Sequence, residues 1–195
     1  ILNSAEWYEE NNIVLVTGDA ATEISRIKKV VITASGKKFP YDRLLIATGS
    51  NPFIIPIPGA DKEGVLGFRD ICDVETMKQA AKDHKKAVVI GGGLLGLEAA
   101  NGLMKQGMDV TVVHLLDSLM ERQLDKSASS LLKASLEQRG MTFMMDASTA
   151  EIVGDKRVSA VKFADGSELE TDLVVMAVGI RPNFELAKKA GIHCE

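Results

Sequence analysis

The sequence predicts an α/β fold, a parallel sheet buried on both faces with helices crossing between its strands. Three observations carry this expectation. Strand-length apolar runs at 87–90, 109–114 and 173–177 alternate with helix-patterned segments at 70–86, 94–105 and 125–139. A glycine-rich turn joins the first of those strands to the helix that follows it. The chain also echoes itself. Displaced by 130 residues, Gly36 falls on Gly166, Asp42 on Asp172, Ala47 on Ala177, Gly49 on Gly179 and Pro52 on Pro182.

In chain order, 13–16 is a β-branched run that reads as a buried strand. Segments 29–33 and 37–39 flank Ser35-Gly36 as a hairpin. The apolar run 43–47, closing on Thr48-Gly49, reads as a strand buried on both faces. Segment 51–58 holds three of the five prolines and reads as a stiff, extended linker. Helix 70–86 has Asp70 as its cap and Asp73 in its first turn, where acids suit the helix dipole. Strand 87–90 leads through Gly91–Gly96 into a helix from Leu94 to Lys105, which Gly107 stops; strand 109–114 follows. Asp125 caps the next helix and Gly140 ends it. Short strands and turns occupy 141–175, with Asp165-Gly166 the clearest turn, before the buried strand 173–177.

The echo continues upstream at a displacement of 128, where Glu9 meets Glu137, Glu23 meets Glu151, Ile24 meets Ile152 and Val30 meets Val158. Two unrelated buried strands ending in glycine are one reading; two copies of one α/β unit are the sharper one. On the second reading the first copy's strand–glycine–helix start would precede residue 1. The chain is then expected to be cut from a longer protein, in keeping with an Ile rather than a Met at position 1.

Composition excludes several classes. The 195 residues are 46% hydrophobic and 26% charged with a net charge of -4, so no basic excess favours nucleic acid. No apolar run approaches the ~18–20 residues of a membrane span. Residues 1–10 carry Glu6, Glu9 and Glu10 and no basic stretch, unlike a signal peptide. Cys72 and Cys194 form no CxxC pair. A soluble, cytoplasmic protein is expected.

Gly91-Gly92-Gly93-Leu94-Leu95-Gly96 is a G-x-G-x-x-G that follows a strand and opens a helix. Gly91 permits a tight turn, Gly93 lets a pyrophosphate approach the backbone, and Gly96 lets the helix lie against the strand. The first-turn amides of Leu94 and Leu95 and the positive end of the helix dipole then face the phosphates. The bland alternative is a tight helix-packing turn. Cofactor choice rests on the end of the second strand, where an acid holds the ribose 2′-OH of NAD and basic residues receive the 2′-phosphate of NADP. His114 stands there, followed by Leu115, Leu116 and Asp117, with no Arg or Lys until Arg122. NADH is therefore favoured over NADPH, unless His114 only ends its strand. Glu98, one turn into the helix, either complements the dipole or points toward the far end of a bound dinucleotide. His84 and His193 read as surface histidines. Met141, Met144, Met145 and Met176 read as core filler. Neither cysteine has a visible base or partner, and no metal-ligand spacing or catalytic triad stands out.

The run 88–100 resembles the NAD-domain start of the FAD-dependent pyridine nucleotide–disulfide oxidoreductase superfamily. Leu45-Ile46-Ala47-Thr48-Gly49-Ser50 and Pro56-Ile57-Pro58-Gly59 are similar to its FAD-domain strand and hinge, and Ala177-Val178-Gly179-Ile180-Arg181-Pro182-Asn183 to the end of its NAD domain. Segments 119–125 and 163–169 are most similar to its nitrite-reducing members, although NADH oxidases and rubredoxin or ferredoxin reductases share much of the pattern. The resemblance implies a Rossmann-like NAD(P)-binding domain (61–180) inserted in an incomplete FAD-binding domain (1–60, resuming over 181–195). It implies that Gly91, Gly93, Leu94, Leu95 and Gly96 hold the pyrophosphate of NAD(P)H and that His114 neighbours the adenosine ribose. It places Glu98, Gly179 and Ile180 near the nicotinamide, and Thr48 and Gly49 along the FAD site. The family's first glycine motif and its later flavin-gripping segment are absent, as is a Cys-x4-Cys pair. Iron–sulfur and siroheme centres are expected only in downstream domains of the parent. The chain itself is then expected to bind NAD(P)H without turnover. A non-catalytic nucleotide sensor is the alternative from another class.

Overall fold

The computed structural model describes residues 3–194; Ile1, on which the expectation of a cut chain partly rests, Leu2 and Glu195 lie outside the described residues. In chain order the elements are α1 (Ala5–Glu10), β1 (Ala21–Ser25), β2 (Val30–Thr33), β3 (Lys38–Pro40), β4 (Ser50–Pro52), β5 (Val65–Gly67), α2 (Ile71–Asp83), β6 (Lys86–Ile90), α3 (Leu94–Lys105), β7 (Asp109–Val113), α4 (Lys126–Glu137), β8 (Thr142–Met144), β9 (Thr149–Gly154), β10 (Val158–Phe163), β11 (Glu168–Glu170), β12 (Leu173–Met176), β13 (Ile180–Pro182) and α5 (Glu185–Lys189). They fall into two compact units, one formed by residues up to 49 with those from 182, the other by 50–181.

The larger unit is built on a five-stranded sheet in the order β5-β12-β6-β7-β8, every neighbouring pair parallel. Strand period sorts its side chains onto two faces. Val89, Val112, Leu173 and Val175 pack with Met77, Leu97, Ala100 and Leu103 of α2 and α3. Val88, Ile90, Val113, Val174 and Met176 pack with Ile152, Val161 and Phe163 of the antiparallel meander β9-β10-β11. The central strands are therefore buried on both sides, which is why they read as continuous apolar runs. Helix α2 starts where Asp70 accepts the Cys72 and Asp73 amides while Asp73 accepts the Asp70 amide, a reciprocal capping box. Asp125 caps α4 through the Ala128 amide.

Segment 51–58, expected as a linker, belongs to this unit. Its first two residues extend β4, which pairs with β13, and Ile55 and Ile57 join the meander-side core. At Gly67 a Cβ would stand 2.6 Å from the Pro52 ring, so Pro52 lies close on β5.

The smaller unit holds α1, α5 and the antiparallel sheet β1-β2-β3. Arg26 donates to the Gly191 carbonyl (2.8 Å), and Asp19 accepts both the amide and the hydroxyl of Ser35. The 29–39 hairpin forms as expected, with Gly36 at φ 82. Two expected strands do not form. Residues 13–16 and 43–47 are irregular and largely exposed, Val14 at 85% and Leu45 at 90%. A strand exists only through a neighbour that takes its hydrogen bonds. Among the described residues no ladder includes either segment, whereas the echo partner of 43–47, β12, is flanked by β5 and β6.

Candidate functional site

In the parallel sheet, β6 is followed by α3 and β7 on one side and has β12, late in the chain, on the other. The strand order thus reverses between β6 and β12. Open α/β sheets bind ligands in the crevice beyond the carboxyl ends of strands at such a point. Two loops border it: the glycine-rich turn after β6 and residues 177–179 after β12. They are tied by the Ala177 amide donating to the Ile90 carbonyl (2.8 Å).

Each glycine of the turn has its own reason. Gly91 sits at φ 121, a backbone few side-chain-bearing residues adopt, and a Cβ there would overlap the Ala177 carbonyl. At Gly96 a Cβ would overlap the Gly91 carbonyl, so the helix can lie on the turn only without it. Gly93 is different. It is the N-cap of α3 at φ -83, no side chain caps the helix, and a Cβ would meet nothing within 4 Å. The space above Gly93 is open and the Leu94, Leu95 and Gly96 amides end the helix without a side-chain acceptor. That is the form of an anion-binding helix start and fits a pyrophosphate. Leu94, 57% exposed, and the half-buried Leu95 complete the mouth of the turn.

Gly92, the variable position of the motif, is the residue that sequence reasoning missed. Its amide donates to Nδ1 of His114 (3.0 Å) and its carbonyl accepts the Met120 amide (3.0 Å), so both its backbone groups are clamped. A Cβ there would stand 2.6 Å from Leu119 and 2.8 Å from the imidazole. Nothing in a G-x-G pattern signals this, because the clamp comes from residues 22 and more positions downstream.

His114, just past β7, is 9% exposed. Because Nδ1 accepts the Gly92 amide, the ring proton belongs on Nε2, which lies 3.3 Å from Oε2 of Glu121. The contact is not aligned as a hydrogen bond, and Nε2 is buried with no other partner among the described residues. The imidazole therefore cannot accept from a ribose hydroxyl here, because its accepting nitrogen is occupied by the Gly92 amide. Leu115 and Leu116 are exposed. Asp117 pairs with Lys126 (2.8 Å), and that hydrogen bond holds its carboxyl below the usual range.

Glu98 is exposed on α3, its carboxylate unpaired among the described residues. Gly179 (φ 133) and Ile180 are exposed beyond the end of β12, and the Gly179 carbonyl accepts the Phe53 amide (2.9 Å). The expected nucleotide residues thus gather at one edge of the larger unit. Thr48 and Gly49 belong to the smaller unit. There the Thr48 hydroxyl donates to the Asn183 carbonyl, the Asn183 side chain donates to the Thr48 carbonyl (3.1 Å), and Gly49 turns at φ 68. Cys72 is exposed and Cys194 half-buried, both free thiols, and no metal-holding cluster occurs among the described residues. Met141 and Met176 are core residues, as expected.

Residues 3–195 match the family described as pyridine nucleotide-disulphide oxidoreductase. The chain is 58% identical over 191 residues to a nitrite reductase [NAD(P)H] of Bacillus subtilis, covering 98% of this chain and 24% of that protein. It is 38% identical to the nitrite reductase (NADH) large subunit of Escherichia coli, covering 95% of this chain and 22% of that one. A ferredoxin reductase structure from Rhodopseudomonas palustris superposes with a TM-score of 0.95 at 31% identity, covering 100% of this chain and 48% of the other. The chain therefore spans about a quarter of those two curated relatives and about half of that solved structure.

Proposed function

The chain belongs to the pyridine nucleotide-disulphide oxidoreductase family, and from that premise we propose that it is the nucleotide-binding segment of an NADH-dependent flavoprotein reductase of the nitrite-reducing type. The observation that carries the reading is the uncapped start of α3 with open space above Gly93, set where the strand order reverses. In such a reductase bound FAD would supply the redox chemistry between NADH and the centres that reduce nitrite. This chain's own contribution is positioning. Gly91 and Gly96 shape the turn; Gly93 and the Leu94 and Leu95 amides hold the pyrophosphate. Glu98, Gly179 and Ile180 border the nicotinamide, His114 stands by the adenosine end, and Thr48 and Gly49 line the flavin. Iron–sulfur and siroheme centres belong to downstream domains of the parent.

Similarity over the whole chain to a ferredoxin reductase supports a second reading, the same nucleotide chemistry with a different electron acceptor. The parent's downstream sequence separates the two, since nitrite reduction requires siroheme-binding cysteines there.

The test of the binding reading is Gly93→Ala. The added methyl meets no protein atom and the backbone angle suits any residue, so the fold is retained. It fills the space the diphosphate needs, so NADH affinity falls about tenfold or more in a fluorescence titration. Equal affinities of the variant and the parent chain would contradict the proposal.

A further inference from the structure

We propose that Glu121 is the acid that reads the adenosine ribose and biases this site toward NADH over NADPH. The inference rests on the dinucleotide reading above and deepens it. An acid after the second strand of such a unit receives the ribose 2′-OH, yet position 114 is a histidine, and the first acid after it, Asp117, is paired with Lys126. The fold supplies the acid from further along. After Leu116 the chain turns back on itself. Leu119 is fully buried, the Met120 amide donates to the Gly92 carbonyl (3.0 Å), and Met120 adopts a left-handed backbone, φ 51. That reversal sets the Glu121 carboxylate 3.3 Å from His114 Nε2, beside the glycine-rich turn.

The chemistry of the corner follows. With Nδ1 taken by the Gly92 amide, the imidazole turns Nε2 toward Glu121, and the carboxylate lies 3.3 Å from it in a close contact that is not a hydrogen bond. The Glu121 carboxylate lies just beyond the end of β7, on a side chain one-third exposed (33%) and able to accept from a sugar hydroxyl. A ribose 2′-OH donates to it, whereas a 2′-phosphate meets like charge. Arg122, the neighbouring cation, is the group that would act the other way.

The experiment measures NADH and NADPH dissociation constants for the 195-residue chain and for Glu121→Gln. The expected result is that the parent chain favours NADH, and that Glu121→Gln weakens NADH about tenfold while leaving NADPH unchanged or tighter. The melting temperature should hold, because the side chain is partly exposed. NADH bound with an unaltered NADH/NADPH ratio in the variant, or a parent chain that favours NADPH, overturns the role of Glu121 and leaves the dinucleotide site standing. Failure of the parent chain to bind either nucleotide overturns both.

Discussion

Gly91, Gly93 and Gly96 share one motif but answer to different neighbours. Side chains at 91 and 96 would run into backbone carbonyls, while one at 93 would enter open space. Alanine at 91 or 96 is therefore expected to cost the fold roughly 2 kcal/mol or more, since neither carbonyl can yield. Alanine at 93 should cost less than about 1 kcal/mol, the difference between two weak caps. Urea denaturation of the three variants measures the order, and a Gly93 variant as unstable as the others would contradict it. Asp172 offers a pH test. It accepts the Lys86 and Lys85 amides (2.9 and 3.1 Å), and the Lys86 amide chiefly holds its carboxyl below the usual range. A lowered folded value means the stabilisation is present above the unfolded value, about 4, and is lost as pH falls through the folded one. Asp172→Ala should thus destabilise by about 1 kcal/mol at pH 7, with the gap to the parent chain closing below about pH 4. A gap independent of pH would count against this.

At the scale of elements, Asp70 serves two amides of α2 at once, and Asp70→Ala should lower stability by about 1 kcal/mol in thermal or chemical unfolding. The same local chemistry made α2, α3 and α4 legible in the sequence: a capping acid or glycine, then helical spacing, then a stop. The sheet of the larger unit was legible because its central strands are buried on both faces. Strands 13–16 and 43–47 misled for the converse reason. Their β-branched and apolar residues carry the propensity, but propensity supplies no neighbour, and pairing decides. Short elements such as α1, β5 and α5 escaped because three to six residues give no period to read. In the site, the glycines and His114 were legible from spacing, whereas Gly92's double clamp and the return of Glu121 depend on a left-handed turn at Met120 that spacing does not encode.

For the whole molecule, the internal echo is borne out in one place and absent in another. Sheets β1-β2-β3 and β9-β10-β11 are the same three-stranded antiparallel arrangement, and Ile24 and Ile152 are each buried within them, paired to Val31 and Val161. The parallel sheet that the larger unit adds has no described equivalent in the smaller one. The proposed flavin loop at Thr48-Gly49 consequently follows an irregular segment, with Leu44 and Leu45 exposed, rather than a buried strand. The purified chain should accordingly lack stoichiometric flavin, which an absorbance spectrum near the flavin bands checks; one flavin per chain would contradict this. The central claim is that the start of α3 cradles a diphosphate. It is tested most directly by titrating isotope-labelled chain with NADH and following backbone amide resonances. Shifts concentrated at Gly93, Leu94, Leu95 and Gly96 are predicted, and saturable shifts elsewhere with these four unmoved would contradict it.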